Sequence, residues 1–337
     1  MKDVSSLKGL SHYPVMLKQV LNICDPKNGG VFVDCTYGAG GYTNAILSYP
    51  NTKVIALDRD SNINYLAQET KKKFKNRFIF HNSKFSELHK IVSKSNKVDC
   101  IIFDLGLSSL QISDLKRGFS FNSKDEPDMR MGLNINTAKE VLNNLDSETL
   151  ERIFRLLGEE KDSKRISKKI LSERKLNIIK TVPDLVNIIK KSKRKNFKKK
   201  INISTQVFQA LRIFVNKEVT ELIEGLINAS RILKEGGKII IITFHSLEDK
   251  IVKFFFSNFS TNKANTSRYM PENKDKKILF KNYKNEVLKP DYFEVEENNP
   301  SRSAKLRHAV RSKHDFIYPD ELKIKFSNYL ELEKVNV

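Results

Sequence analysis

The sequence predicts an α/β fold: a Rossmann-like parallel sheet interrupted by a helical insertion. Short apolar, β-rich runs alternate with helical patterns through the first hundred residues. The stretch VFVDCTYGAGGYTNAIL, residues 31–47, runs a strand into a glycine cluster and then a helix. The alternation then stops near Ser113 and resumes near Thr205.

The strands are expected at 31–35, 53–57, 77–80 and 99–103, with helices near 41–49, 61–73 and 85–94 between them. Their continuous apolar runs suit strands covered on both faces. From Ser113 to Ile203 the pattern gives helices at 138–157, 163–174 and 182–191, ending in the basic run KSKRKNFKKK. A long amphipathic helix is expected over 205–233. The strand KIIIITF at 238–244, a helix in SLEDKIVKFFF and a strand at 304–311 follow. Residues 258–290 are polar and read as a mobile loop, and no internal repeat is visible. The expected division is 1–112 and 205–337 for the sheet domain and 113–204 for the insertion.

The chain has 337 residues and a net charge of +21, enough length for a large core plus an inserted domain. Between Lys161 and Lys200 sixteen Lys/Arg face three Asp/Glu, so 16 − 3 places +13 of the whole excess there. A local excess of that size points to a polyanion such as nucleic acid, the alternative being a solvated lysine-rich face. No apolar run approaches the roughly 20 residues needed to span a bilayer. The N-terminus has no signal-like apolar core, so no membrane association and a cytoplasmic location are expected. Cys24, Cys35 and Cys100 form no C-x-x-C pair and the six histidines show no ligand spacing with them. Neither a metal site nor a disulfide framework is expected.

The chemistry concentrates at strand ends. Gly38, Gly40 and Gly41 follow the first strand, where glycine lets backbone turn tightly and approach a ligand. The dinucleotide fingerprint G-x-G-x-x-G fails, because the third position counted from Gly38 is Thr43. Asp34 precedes the turn, and Asp58 ends the second strand, where an acid can accept both ribose hydroxyls of an adenosine. That arrangement serves NAD and S-adenosylmethionine alike. The fourth strand ends at Asp104, which open α/β topology brings to the same crevice.

Nine blocks in order then identify a resemblance: HYPVML (12–17), DCTYGAGGYT (34–43), ALDRD (56–60), FDLGLSSLQ (103–111), RGFSF (117–121), DMRM (128–131), FQALRIFVNKE (208–218), TFHSLED (243–249) and SRSAKLR (301–307). Along nearly its whole length the chain resembles the bacterial RsmH (MraW) family of ribosomal small-subunit RNA methyltransferases. The resemblance implies a class I methyltransferase sheet with a helical substrate-recognition insertion. The implied activity is transfer of a methyl group from S-adenosyl-L-methionine to N4 of a cytidine in the decoding region. It carries cofactor contacts to Gly38, Gly40, Gly41, Tyr42, Asp58, Phe85, Asp104 and Gln111, with Phe85 against the adenine. Because the N4 lone pair is delocalised into the ring, an acceptor for the amine hydrogens is also expected, either Asp104 or a backbone carbonyl of the 104–109 loop. The implied partner is small-subunit ribosomal RNA, free or within a ribosomal particle, and the oligomeric state is left open.

The chain departs from the family pattern at Tyr42-Thr43, where His-Ser is usual, which excludes a role needing an imidazole there. It also departs at Lys124–Asp128, at Thr205-Gln206-Val207 and at Asn299-Pro300-Ser301. In TFHSLED, Ser246 and Asp249 have the spacing of a capping box. His245 stands at the end of a strand facing the crevice, as a packed residue or as part of the site. Arg130, Arg212 and Arg302 suit either RNA phosphates or internal pairs with acids such as Glu218. Two other readings stand beside the enzyme: a non-catalytic RNA-binding or assembly factor on the same fold, and an NAD-dependent dehydrogenase.

Overall fold

The computed structural model describes residues 14–92, 98–193, 202–261, 278–281 and 283–337. It divides into two compact units, Met1–Gly106 with Glu221–Lys325, and Leu107–Thr220 with Phe326–Val337.

The first unit holds a six-stranded sheet among the described residues. Its strands are β1 (Gly30–Asp34), β2 (Thr52–Asp58), β3 (Phe78–Asn82), β4 (Val98–Asp104), β5 (Leu233–Thr243) and β6 (Lys305–Val310). The order is β3-β2-β1-β4-β5-β6, all neighbours parallel except the antiparallel edge pair β5–β6. This is the Rossmann-like α/β sheet that the strand pattern predicts. Successive side chains of a strand point to opposite faces, and Val54, Ile55, Ala56 and Leu57 are all buried, as are Cys100, Ile101, Ile102 and Phe103. Both faces of the central strands are therefore covered, which is why they read as unbroken apolar runs. Helix Gly41–Leu47 packs on β2, Asn64–Phe74 on β3, and Ser246–Asn258 on β5 and β6.

The second unit is helical, with Ala138–Asn144, Ser147–Arg152, a π-helical turn Ile153–Leu157, Ser163–Arg174, Val182–Ser192 and Thr205–Asn216. Val141, Leu142, Leu150, Phe154, Ile166, Ile170, Leu185 and Ile189 form its core. Thr137 with Glu140 and Thr181 with Asp184 form reciprocal capping boxes at two helix starts. The Arg174 guanidinium donates to the Leu142 and Leu145 carbonyls, closing the opposite end of Ala138–Asn144.

Several boundaries differ from the sequence reading. The single helix expected over 205–233 breaks at Lys217, whose backbone is left-handed with φ 51°. No glycine or proline announces that break. It is held instead by Asn216, which accepts from Met131 N at 2.7 Å and donates to Met129 O at 2.7 Å. The 138–157 helix is interrupted at Asp146, which caps a new helix by accepting from Glu148 N and Thr149 N. The second unit accordingly runs from 107 to 220 rather than 113 to 204, and it takes the last twelve residues because helix Ser327–Leu332 packs there. β5 begins at Leu233 and includes the EGG turn. Most of the expected 258–290 loop, namely 262–277 and 282, lies outside the described residues, as does 194–201 with most of the basic run. The described flanks are packed: Phe259, Leu279, Phe280 and Tyr283 are buried, and Phe280 stacks edge-on against Phe255 and Phe256.

Candidate active site

Sheet register gathers three acids. Asp34 lies opposite Ala56 and Ile102, Asp58 ends β2 and Asp104 ends β4, so all three stand at the carboxyl ends of β1 and the strands flanking it. Strand order reverses between β1 and β4, the place where open α/β sheets bind ligands.

The turn after β1 is stitched to the tip of β2. Tyr37 N donates to Leu57 O at 2.9 Å, and Gly38 N donates to Asp58 Oδ2 at 2.8 Å. Gly40 has φ 77°, and a Cβ there would come within 2.7 Å of the Tyr37 hydroxyl. The next residue, Gly41, starts helix Gly41–Leu47 and lies so close to Pro14 that a Cβ would stand 2.6 Å from its ring. Asp34 is fully buried and accepts from Thr43 Oγ1 at 2.7 Å and Thr36 N at 3.3 Å. Thr43, which breaks the dinucleotide fingerprint, thus holds the buried acid beneath the turn.

Asp58 also accepts from Asp60 N at 2.9 Å, leaving further lone pairs on both oxygens. Burial raises its carboxyl to about 6, and raises Asp34 to about 6 as well. Asp104 is pushed up to about 8, first by burial and then by the charge of Asp34, with Glu248 and Glu294 adding repulsion. Its Oδ1 is buried and has no hydrogen-bond partner among the described residues. Its Oδ2 lies 3.3 Å from the Tyr42 hydroxyl, which also reaches Val15 O. Asp104 N donates to Thr36 Oγ1 at 2.8 Å, locking the end of β4 to that of β1.

Phe85 opens a 3₁₀ turn and stands edge-on to Phe103, 5.4 Å between centroids, while Gly225 admits its ring. It is half-exposed, leaving ring surface for a ligand. Gln111 lies in the second unit, buried in a reciprocal capping box with Ser108.

In the TFHSLED block the cap is made by other residues than the spacing of Ser246 and Asp249 suggests. His245 Nδ1 accepts from Glu248 N, and the Glu248 carboxylate accepts from Phe244 N and His245 N. Asp249 instead pairs with Arg307 at 2.7 Å and Lys305 at 3.1 Å, tying the helix to β6. Arg212 pairs with Glu218 through two 2.8 Å bonds, and Arg130 with Asp128 likewise. Arg302 is exposed. Glu294, which accepts from Met16 N and bears on Asp104, carries no sequence signal that would have found it.

The donor set discriminates between cofactors. Three acids, Asp34 buried and Asp58 and Asp104 partly so, crowd one end of the sheet, and ionising them together costs Coulomb energy that a cationic ligand offsets. S-adenosylmethionine carries a sulfonium and an ammonium, whereas the pyrophosphate of NAD would be repelled. The residues present fit the former.

Comparison with known proteins points to a methylase family. The model of the MraW methylase family matches residues 9–312. The "Ribosomal RNA small subunit methyltransferase H" of Ehrlichia canis (strain Jake) is 39% identical over 307 residues, covering 89% of this chain and 99% of that protein. The protein of the same name from Ehrlichia chaffeensis is 40% identical over 305 residues, with 89% and 99% covered. That from Allorhizobium ampelinum is 40% identical over 324 residues, with 96% and 94% covered.

Proposed function

The chain belongs to the MraW methylase family, and from that premise we propose that it methylates small-subunit ribosomal RNA at the N4 amine of a cytidine, using S-adenosyl-L-methionine. The observation that carries the reading is the cluster of Asp34, Asp58 and Asp104 at the switch point, beside a glycine turn that the Gly38 amide ties to Asp58. The function in the relatives' names supports the substrate class. Neither a dehydrogenase nor a non-catalytic assembly factor is favoured by any feature of this site.

Bound S-adenosylmethionine would supply an electrophilic methyl on a sulfonium. Asp58 would take the ribose hydroxyls on its remaining lone pairs, with Gly38 N and Asp60 N fixing the carboxylate. Gly40 and Gly41 would admit the amino-acid end, and the half-exposed Phe85 would lie against the adenine. Asp104 Oδ1, a buried acceptor with no partner among the described residues, would take a hydrogen bond from the cytidine amine and then its surplus proton. Alignment of amine and methyl accounts for most of the rest. The helical unit, with its exposed Lys164, Lys168, Lys190 and Lys191, would hold the RNA backbone.

Incubation with labelled S-adenosylmethionine and small-subunit RNA, free and assembled, tests the proposal. Label in the RNA, lost in Asp104→Ala, is the expected result. Absence of label in both substrates from the folded, cofactor-binding protein would overturn it.

A further inference from the structure

Tyr42 has one hydroxyl proton and two acceptors. Its oxygen lies within hydrogen-bond distance of the Val15 carbonyl and 3.3 Å from Asp104 Oδ2. A phenol donates to one of them at a time. Burial, reinforced by the charge of Asp104, holds this phenol well above the ordinary tyrosine range, so it stays protonated.

Two arrangements couple the phenol proton to the charge on Asp104. In one, Tyr42 donates to Val15 O, and Asp104 carries a proton on Oδ2 that it donates to the phenol oxygen. An ionised Oδ2 would there face a lone pair. In the other, the phenol proton turns to an ionised Oδ2 and the Val15 carbonyl gives up its donor. The next residue, Met16, is held independently through its N–H on Glu294, so the proton can turn without freeing the segment.

We propose that Tyr42 is the positioning residue that switches Asp104 between a neutral and an ionised state, by moving its one hydroxyl proton between Val15 O and Asp104 Oδ2. The inference rests on the reading of Asp104 as the acceptor of the amine proton. In the ionised arrangement Oδ1 becomes the open acceptor for that proton. Among the described residues the other groups that act most on Asp104 are acids: Asp34 at the end of β1, Glu248 on helix Ser246–Asn258 and Glu294 on helix Tyr292–Glu297. Each opposes ionisation, and the Tyr42 hydroxyl is the one among these groups that favours it.

The test is kcat against pH at saturating cofactor on small-subunit particles. For Tyr42→Phe the acid limb should move up by about one pH unit, so the variant is roughly tenfold slower on that limb. The deficit should shrink as pH rises towards the alkaline plateau, so the loss depends on pH. Replacing Tyr42 by 3-fluorotyrosine, a stronger donor of nearly unchanged shape, should move the limb down instead, and this arm remains available if Tyr42→Phe does not fold. An unmoved limb in the fluorotyrosine protein, or a uniform rate loss at every pH in a folded Tyr42→Phe, would overturn the coupling. Asp104→Asn separates the two readings. If it is inactive while the Tyr42 limb is unmoved, only the coupling falls. If it keeps the native rate and limb, the role of Asp104 falls first and the coupling with it.

Discussion

The Gly38 amide and the Asp58 carboxylate are bonded to each other at 2.8 Å, so the acid that would grip the ribose also fastens the turn that would admit the methionine. Asp58→Ala should therefore weaken S-adenosylmethionine binding by about 1.5–3 kcal/mol, the loss of a charge-assisted hydrogen bond. That is roughly ten- to 150-fold in Kd. Calorimetry on the folded variant checks this, and unchanged affinity would remove Asp58 from the site. Gly40 is a poorer probe, because a Cβ there meets Tyr37 and Asn44 within 2.9 Å and disturbs the turn before any ligand arrives.

The raised carboxyls give a pH dependence with a definite sign. Asp58 at about 6 and Asp104 at about 8 are partly neutral in the free protein near neutrality. A cation favours their ionised forms, so affinity for S-adenosylmethionine should rise as pH rises from about 6 to 8. S-adenosylhomocysteine lacks the sulfonium charge but keeps the ribose, and its affinity should rise less. Titrating both ligands across that range tests the idea. Equal slopes would mean that Asp104 does not sense the sulfonium.

Much of this was legible in the sequence, and the failures have physical causes. β1, β2 and β4 are largely apolar runs of five to seven residues ended by an acid, too short for typical helices and buried over most of their length. Capping is different: His245 and Ser246 both have an acid three residues on, and only the fold decides that Glu248 caps while Asp249 faces Lys305 and Arg307. The break at Lys217 depends on Asn216 reaching Met129 and Met131, more than eighty residues away in the chain, and no local pattern encodes that. Glu294 and Val15 reach the site from opposite ends of the sequence for the same reason.

The basic helical unit should bind phosphate. Lys164 and Lys168 are exposed one turn apart on a helix whose other face buries Ile166 and Ile170, and Lys190 and Lys191 are exposed at the end of another. Changing all four to glutamine should weaken RNA binding across sequences. The slope of log affinity against log salt should fall by up to roughly 3, at about 0.7–0.9 for each phosphate that is no longer neutralised. Cofactor affinity should not change. An unaltered slope in anisotropy titrations returns these lysines to a solvated face.

Glu333 is a separate pH-sensitive element. It accepts from Val219 N at 3.0 Å, Thr220 N at 2.8 Å and Thr220 Oγ1 at 2.6 Å, and burial raises it to about 7. A carboxyl raised on folding stabilises fully below its unfolded value, 4.5, and that contribution is lost as pH rises through about 7. Glu333→Gln mimics the neutral acid, so native stability should fall relative to this variant between about pH 5 and 8 in urea unfolding. Glu333→Ala, which leaves buried donors unpaired, should cost about 1–3 kcal/mol. A native-minus-glutamine difference that stays flat with pH would contradict the assignment.

The product should be N4-methylcytidine and not 5-methylcytidine. Methylation at C5 ordinarily needs a thiolate to add to the ring and make the carbon nucleophilic. Cys24, Cys35 and Cys100 are all buried. Cys35 follows Asp34 at the end of β1 and is the thiol nearest the candidate site in the chain, yet burial and the Asp34 charge hold it well above the usual thiol range. Cys100 is raised by burial and by Cys24, and it lies four residues before Asp104 on β4. None of them supplies a thiolate to a base beside Asp104, whereas an exocyclic amine needs only an acceptor for its proton. Replacing all three by alanine should preserve methyl transfer once any loss of stability is allowed for, because an apolar replacement puts no unpaired hydroxyl in the core. Nucleoside mass spectrometry separates the two isomers by retention and fragmentation. Finding 5-methylcytidine, or a folded cysteine-free protein that binds cofactor and transfers nothing, would replace direct amine attack with covalent catalysis.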